Sequence, residues 1–189
     1  MRTMMKKICV LLLAAFIATP AICASNVMFA PDAKNAFAIY ISNSTDCGTL
    51  FKLVNPTDWH FTPMNLIMVS YRQPMELLRL PGRVNVDLIH NIAYNSNSGA
   101  SFTGIGIAWD IAFLNWHGFY IGAGLGPYMR DNRDAWVSSR LVFGEKFFIG
   151  KNINDDWRVE FMTIHFSNGD LTETNHGFNF VGLSANYSF

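Results

Sequence analysis

From Arg83 to Tyr94 the side chains alternate with a period of two. Arg83, Asn85, Asp87, Ile89, Asn91 and Ala93 fall on one face, and Val84, Val86, Leu88, His90, Ile92 and Tyr94 on the other. Successive side chains of a strand point to opposite sides, so this segment reads as a strand with one polar and one mostly apolar face. Residues 104–113 repeat the pattern, setting Ile105, Ile107, Trp109, Ile111 and Phe113 against Gly104, Gly106, Ala108, Asp110 and Ala112. A soluble sandwich turns its polar face to water and commonly loads it with Lys and Glu. The polar face here is small, amide-rich and glycine-rich, which suits a narrow lumen filled by side chains while the apolar face meets lipid.

Six further segments carry the pattern less cleanly, at 35–42, 65–72, 119–130, 136–150, 156–167 and 177–189. The expectation is an all-β chain folded as an eight-stranded antiparallel transmembrane β-barrel. Half of the residues are hydrophobic, yet no stretch after the N-terminal one stays apolar long enough to cross a membrane as a helix, so a spanning state has to be a closed barrel. Turns are expected at Leu80-Pro81-Gly82, at 95–99, at 131–134 and at 152–156, where breakers or polar residues cluster. The stretch from Thr45 to Met64 is the least regular. Its Trp59-His60-Phe61 cluster suits an extracellular loop or an interfacial aromatic girdle, and the loop is the favoured reading.

The two ends agree with export to an outer membrane. Arg2, Lys6 and Lys7 precede a short apolar run from Ile8 to Ile17, and small residues follow at Ala21, Cys23, Ala24 and Ser25. This is a signal-peptide pattern, dividing the chain into a cleaved leader, 1–23, and a barrel, 24–189. A lipoprotein reading would make Cys23 the acylated first residue, but it is disfavoured because that processing wants a small residue just before the cysteine and Ile22 is bulky. Cleavage would leave Cys47 as the one cysteine, excluding an intrachain disulfide. At the other end Phe189, Tyr187, Ala185, Leu183 and Val181 share a face opposite Ser188, Asn186, Ser184 and Gly182, which resembles the terminal strand that outer-membrane assembly machinery reads. The formal net charge of zero gives no reason to expect a nucleic-acid partner.

Chemistry concentrates near the C-terminus. His165 and Ser167 are two apart, which on a strand places both on one face, where an imidazole is able to serve a hydroxyl nucleophile as base. They share the parity of Trp157, Val159 and Phe161, opposite Arg158 and Glu160, so they face outward. His60, His90, His117 and His176 lack such a partner spacing and read as structural or surface residues. No metal-ligand spacing or phosphate-binding loop is present, so neither cofactor nor metal is expected.

The run His165-Phe166-Ser167-Asn168, followed by Asn175 and Gly177, resembles the PagL lipid A 3-O-deacylase family, whose C-terminal region carries a His-x-Ser-Asn core and a downstream Asn-x-Gly-x-acid element. The resemblance implies an outer-membrane ester hydrolase acting on lipid A of the outer leaflet, with Ser167 as nucleophile, His165 as general base and an oxyanion hole near Asn168 and Gly169. Where many relatives place the carboxylate that orients the histidine, this chain has Asn179. An amide is able to fix the imidazole tautomer but lacks the charge that stabilises imidazolium. Asp170 and Glu173 are alternative acids in the same hairpin. With both chain ends periplasmic, the connection from Gly169 to His176 is extracellular and the site borders the outer leaflet. The competing reading, supported by Asn179, is a non-catalytic small barrel serving as adhesin, resistance protein or structural component. Acyl-chain preference and oligomeric state are not legible in the sequence.

Because the last strand is apolar on one face down to Phe189, deletion of Phe189 is expected to reduce the folded, heat-modifiable population in outer membranes. A gel comparison of unheated and boiled membranes measures this, and normal assembly at normal expression counts against a terminal signal.

Overall fold

The structure is a computed structural model that describes residues 34–45, 48–53, 55–77, 80–94 and 99–189; the expected leader and Cys47 lie outside them. Eight strands form the chain's framework: β1 (Ala36–Ser44), β2 (Thr62–Leu77), β3 (Leu80–Ala93), β4 (Phe102–Trp116), β5 (Phe119–Arg130), β6 (Leu141–Asn152), β7 (Trp157–Ser167) and β8 (Phe178–Ser188). Each pairs antiparallel with its sequence neighbour, and β1 pairs with β8 from Ala36↔Ser188 to Ser44↔Phe180, closing the barrel. Connections at one end are short, as between paired Leu77 and Leu80 or at His117-Gly118 between β4 and β5. At the other end they are long, spanning 45–61, 94–101, 131–140 and 168–177. Outer-membrane barrels have short periplasmic turns and longer extracellular loops, and by that rule the long end is called the outer end; the ends of β1 and β8 near Ala36 and Ser188 lie at the opposite, short end.

The alternation seen in the sequence sorts the wall. Phe37, Ile39, Ile41, Leu88, Ile107 and Leu183 are among the exposed side chains that form an apolar outer band, while Arg83, Asn85, Asp87, Ile89 and Asn91 are buried in the lumen. The lumen is a packed core. Gly106, Gly122 and Gly150 leave room for the rings of Tyr128, Phe148 and Tyr120, each of which fills the space that a Cβ at its glycine would occupy. That complementarity accounts for the glycine-rich inner face.

Among the described residues, the fully buried charges inside the lumen are paired. Glu160 accepts from Arg72 at 2.8 Å, from Arg83 at 2.8 Å and from the Tyr120 hydroxyl at 2.8 Å. Arg83 donates further to Asp110 at 2.9 Å, and Arg72 to Asn186. Nearer the outer end, Asp87 accepts from Lys146 at 2.6 Å and from Tyr128. These groups lie on β2, β3, β4, β5, β6, β7 and β8, so the pairs tie opposite walls of the barrel together. Arg130 holds the outer mouth, lying 5.2 Å from the Phe102 ring and 5.4 Å from the Phe178 ring while donating to Ser139 O and Asp134.

Two sequence expectations need correction. Residues 136–140 do not begin β6, which starts at Leu141. Trp136 instead packs on Phe178, Val137 bridges to Asn175, and Arg130 binds the Val137 carbonyl, so this stretch is drawn over the barrel mouth. Nor is Leu80-Pro81-Gly82 a turn: all three residues pair with β2, opposite Leu77, Glu76 and Met75. Gly82 is needed for close approach, since a Cβ there would sit 2.5 Å from the Asp110 carbonyl oxygen.

Removing one partner of a buried ion cluster leaves its counter-charges uncompensated, and typical losses are about 3–5 kcal/mol. Glu160→Ala is expected to destabilise the folded barrel by that order. Urea unfolding in lipid vesicles, followed by tryptophan fluorescence, measures it, and an unchanged midpoint would show that the cluster is dispensable.

Candidate active site at the outer end of strands 7 and 8

His165 and Asn179 are directly paired across β7 and β8. Both lie on the outward parity, and the imidazole Nδ1 is 2.6 Å from Asn179 Oδ1. With Nδ1–H donating to the amide oxygen, the lone pair of Nε2 is directed away from Asn179. Asn179 is itself anchored by the ladder's extension, its carbonyl accepting from Thr45 N–H at 2.9 Å. Ser167 ends β7 on the same face, half-buried and paired with Phe143 of β6.

His165 faces outward, yet only 6% of its surface is exposed. The cover comes from the irregular first loop, which forms a short helix, α1 (Leu50–Leu53), and a 3-10 turn, Pro56–Asp58. α1 packs on β7 and β8 with Leu53 buried. Trp59 then runs down the wall, its ring 6.1 Å from that of Phe161 and its indole N–H donating to Leu53 O at 3.3 Å. Trp59, His60 and Phe61 therefore belong to the first loop, as expected, whereas Thr62, Pro63 and Met64 of the irregular stretch already open β2, and the tryptophan lies against the outer face of β7.

Gly177 completes the enclosure. It has φ +73, a conformation that L side chains rarely adopt, and a Cβ there would lie 2.5 Å from His165 Cε1, 3.2 Å from Nε2 and 3.1 Å from Gly48 O. The ring is thus held between the Gly177 backbone and the amide of Asn179.

The loop after Ser167 is ordered by Asn168, which is fully buried. Its Nδ2 donates to Thr174 O at 3.0 Å and to Thr172 Oγ1 at 2.5 Å, its Oδ1 accepts from Asp170 N–H at 2.9 Å, and its own N–H donates to Asn175 Oδ1 at 2.9 Å. Gly169 and Asp170 follow with φ of 63° and 61°. Ser138 joins this loop to the preceding one through Thr172 at 2.8 Å and through Thr174, so the two loops form one unit.

The structure brings together His165, Asn179 and, next along β7, Ser167, with Asn168 and Gly169 leading out of the strand. Asp170 accepts from Asn175 at 2.9 Å, and Glu173 is exposed in the loop. Of the other histidines, His60 contacts Asp58 O at 3.1 Å and His90 contacts Thr103 Oγ1 at 3.0 Å. Among the described residues no group of three His, Cys, Asp or Glu side chains converges as a metal site. The packing of α1 on β7 and β8 and the approach of Gly48 to Gly177 beside the ring were not legible in the sequence, because they depend on where the first loop folds. The glycine at 177 was visible as part of the motif, but its contact with the ring was not.

Comparison with known proteins places this architecture. The fold matches a crystal structure of the outer membrane enzyme PagL, with a TM-score of 0.53 at 15% identity, covering 82% of this chain and 99% of that one. It also matches the crystal structure of Neisserial surface protein A (NspA), with a TM-score of 0.52 at 12% identity, covering 82% of this chain and 96% of that one. At such identities these likenesses speak to the fold alone. No curated protein sequence matches the chain. The family model for lipid A 3-O-deacylase (PagL) matches residues 49–188, a span that includes strands β2 to β8, the covering loop from Thr49 onward and the whole His165–Asn179 region. On that match the chain belongs to the PagL family of lipid A deacylases, outer-membrane β-barrels.

Proposed function

We propose that this barrel hydrolyses the 3-O-linked hydroxyacyl ester of lipid A by a Ser-His mechanism at its outer, lipid-facing rim. The observation that carries the reading is the 2.6 Å contact between His165 Nδ1 and Asn179 Oδ1, two residues from a hydroxyl on the same strand face. Substrate reaches such a site laterally from the outer leaflet, with the apolar wall beside β7 receiving the acyl chains.

In the proposed reaction Ser167 Oγ attacks the ester carbonyl carbon and its proton passes to His165 Nε2. Asn179 holds the tautomer that leaves Nε2 free to accept it. The negative oxygen of the tetrahedral intermediate is received by backbone N–H at Gly169, the loop conformation there being set by the side chain of Asn168. Collapse breaks the bond to the sugar oxygen, which takes the proton from imidazolium and departs as a hydroxyl. Water, deprotonated by His165, then hydrolyses the acyl-serine, releasing the hydroxy fatty acid and restoring Ser167.

Expression in a host whose lipid A retains the 3-O chain, followed by mass spectrometry, tests the reaction. The expected result is loss of one hydroxyacyl mass; an unchanged lipid A profile favours the non-catalytic barrel. Ser167→Ala and His165→Ala should each lower activity by at least about a hundredfold, without additivity in the double variant, since nucleophile and base act as a unit. Retention of deacylation by Ser167→Ala would exclude the mechanism.

The ring's enclosure gives a further test in purified, detergent-folded protein. Asn179→Ala and Gly177→Ala should both reduce the rate severely, the first by freeing the ring and the second by displacing it, whereas Glu173→Ala should change it little. Damage by Glu173→Ala with tolerance of Asn179→Ala would transfer the orienting role to the loop acid.

A further inference from the structure

A base that becomes imidazolium in the transition state is stabilised by negative charge nearby, and an amide at position 179 supplies none. A strand within a closed barrel has two neighbours, however. On the β8 side His165 is paired with Asn179; on the β6 side the residue in register with it is Glu145. Glu145 shares the outward parity of Phe143, Phe147 and Ile149, whereas Val142, Gly144, Lys146 and Phe148 turn into the lumen. Directly opposed residues on antiparallel strands have Cβ atoms about 4.5–5.5 Å apart. His165 therefore stands in a single row across three strands, between an amide and a carboxylate.

A packing role does not account for an acid here. Among the described strand residues that face outward, Glu145 is the one carboxylate. Phe143 and Phe147 flank it along β6, and Leu125 opposes it on β5. Ionisable groups on a lipid-facing wall are disfavoured and mark functional positions. The adjacent cation, Lys146, points inward and is bound to Asp87 at 2.6 Å. Other titratable groups on the elements around His165 are Lys52 on α1, Asp58 and His60 beyond it, and Asp170, Glu173 and His176 in the fourth outer loop, all exposed. Glu145 is only partly exposed and stands in register with the imidazole.

We propose that Glu145 is the negative charge partner of His165, acting through space from the strand opposite Asn179. The two tasks that a single acid performs in a Ser-His-Asp site are then divided: Asn179 fixes the tautomer from β8, and Glu145 stabilises the imidazolium from β6. Glu145 is a positioning residue, since it acts through His165. Its catalytic consequence rests on the Ser-His reading above, but its electrostatic effect is measurable on the imidazole itself.

The test is an NMR titration of the histidine ring signals in detergent-folded protein, with His165 assigned by its loss in His165→Gln. An opposite charge within ~4–6 Å favours the protonated ring by about 1–3 pH units, so Glu145→Gln should move the His165 titration to lower pH by about one unit or more. Asn179→Asp in the Glu145→Gln background should move it back, which a merely structural role for Glu145 would not produce. In parallel, Glu145→Gln should lower deacylation about tenfold, the rate equivalent of one such unit, with partial rescue in the double variant. A His165 titration unaltered by Glu145→Gln overturns the proposal. Because that readout needs no substrate, it decides the charge partner even if Ser167→Ala were to exclude the hydrolytic mechanism.

Discussion

Closure of β1 against β8 is the constraint on which everything else depends. In hydrocarbon an unpaired backbone N–H or C=O costs several kcal/mol, so a strand cannot end a sheet there and the eighth must return to the first. Ala36↔Ser188 through Ser44↔Phe180 meets that requirement. With the circle closed, the period of two leaves one destination for each side chain, lumen or lipid, and a slip of one residue would send Arg83, Asp87 and Glu160 into the bilayer.

The lumen shows how a narrow barrel uses that choice. Glycines on one strand receive rings from a neighbouring strand, and the fully buried charges are neutralised across the interior, with Glu160 shared by Arg72 and Arg83 and Asp87 by Lys146 and Tyr128. A buried ion cluster is weak evidence of stability gained over an apolar core, but it is demanding geometrically. Each member must reach its partner from a different strand. The network thus holds the strands in one register, and that register is what aligns His165 with its neighbours on both sides.

The site lies on the other face of the same strands. Across β8, β7 and β6 the barrel sets Asn179, His165 and Glu145 in one row, and the first loop packs on β7 and β8 beside His165 through α1, Gly48 and Trp59. Such a site faces away from the lumen. Its rigidity comes from the wall and its cover from a loop. Arg130, Trp136 and the Ser138 contacts extend the order of the wall into the loops that frame it.

The existence of the strands, the polar lumen and the His165–Ser167 pair were legible in the chain, because a period of two is a local property that each segment carries alone. Asn179 as the partner of His165 came from the family resemblance and is matched by the observed register. Where local signals were ambiguous, tertiary contacts decided: Gly82 read as a breaker although it marks a close approach to the Asp110 backbone, and 136–140 alternated like a strand although Arg130 and Phe178 hold it over the mouth. The alignment of Glu145 with His165 and the packing of α1 and Trp59 on the outer wall were not legible in the sequence at all. Periodicity determines which face a residue takes, but register between strands and the path of a loop are fixed by contacts between residues far apart in the chain, and these exist only when the barrel has closed.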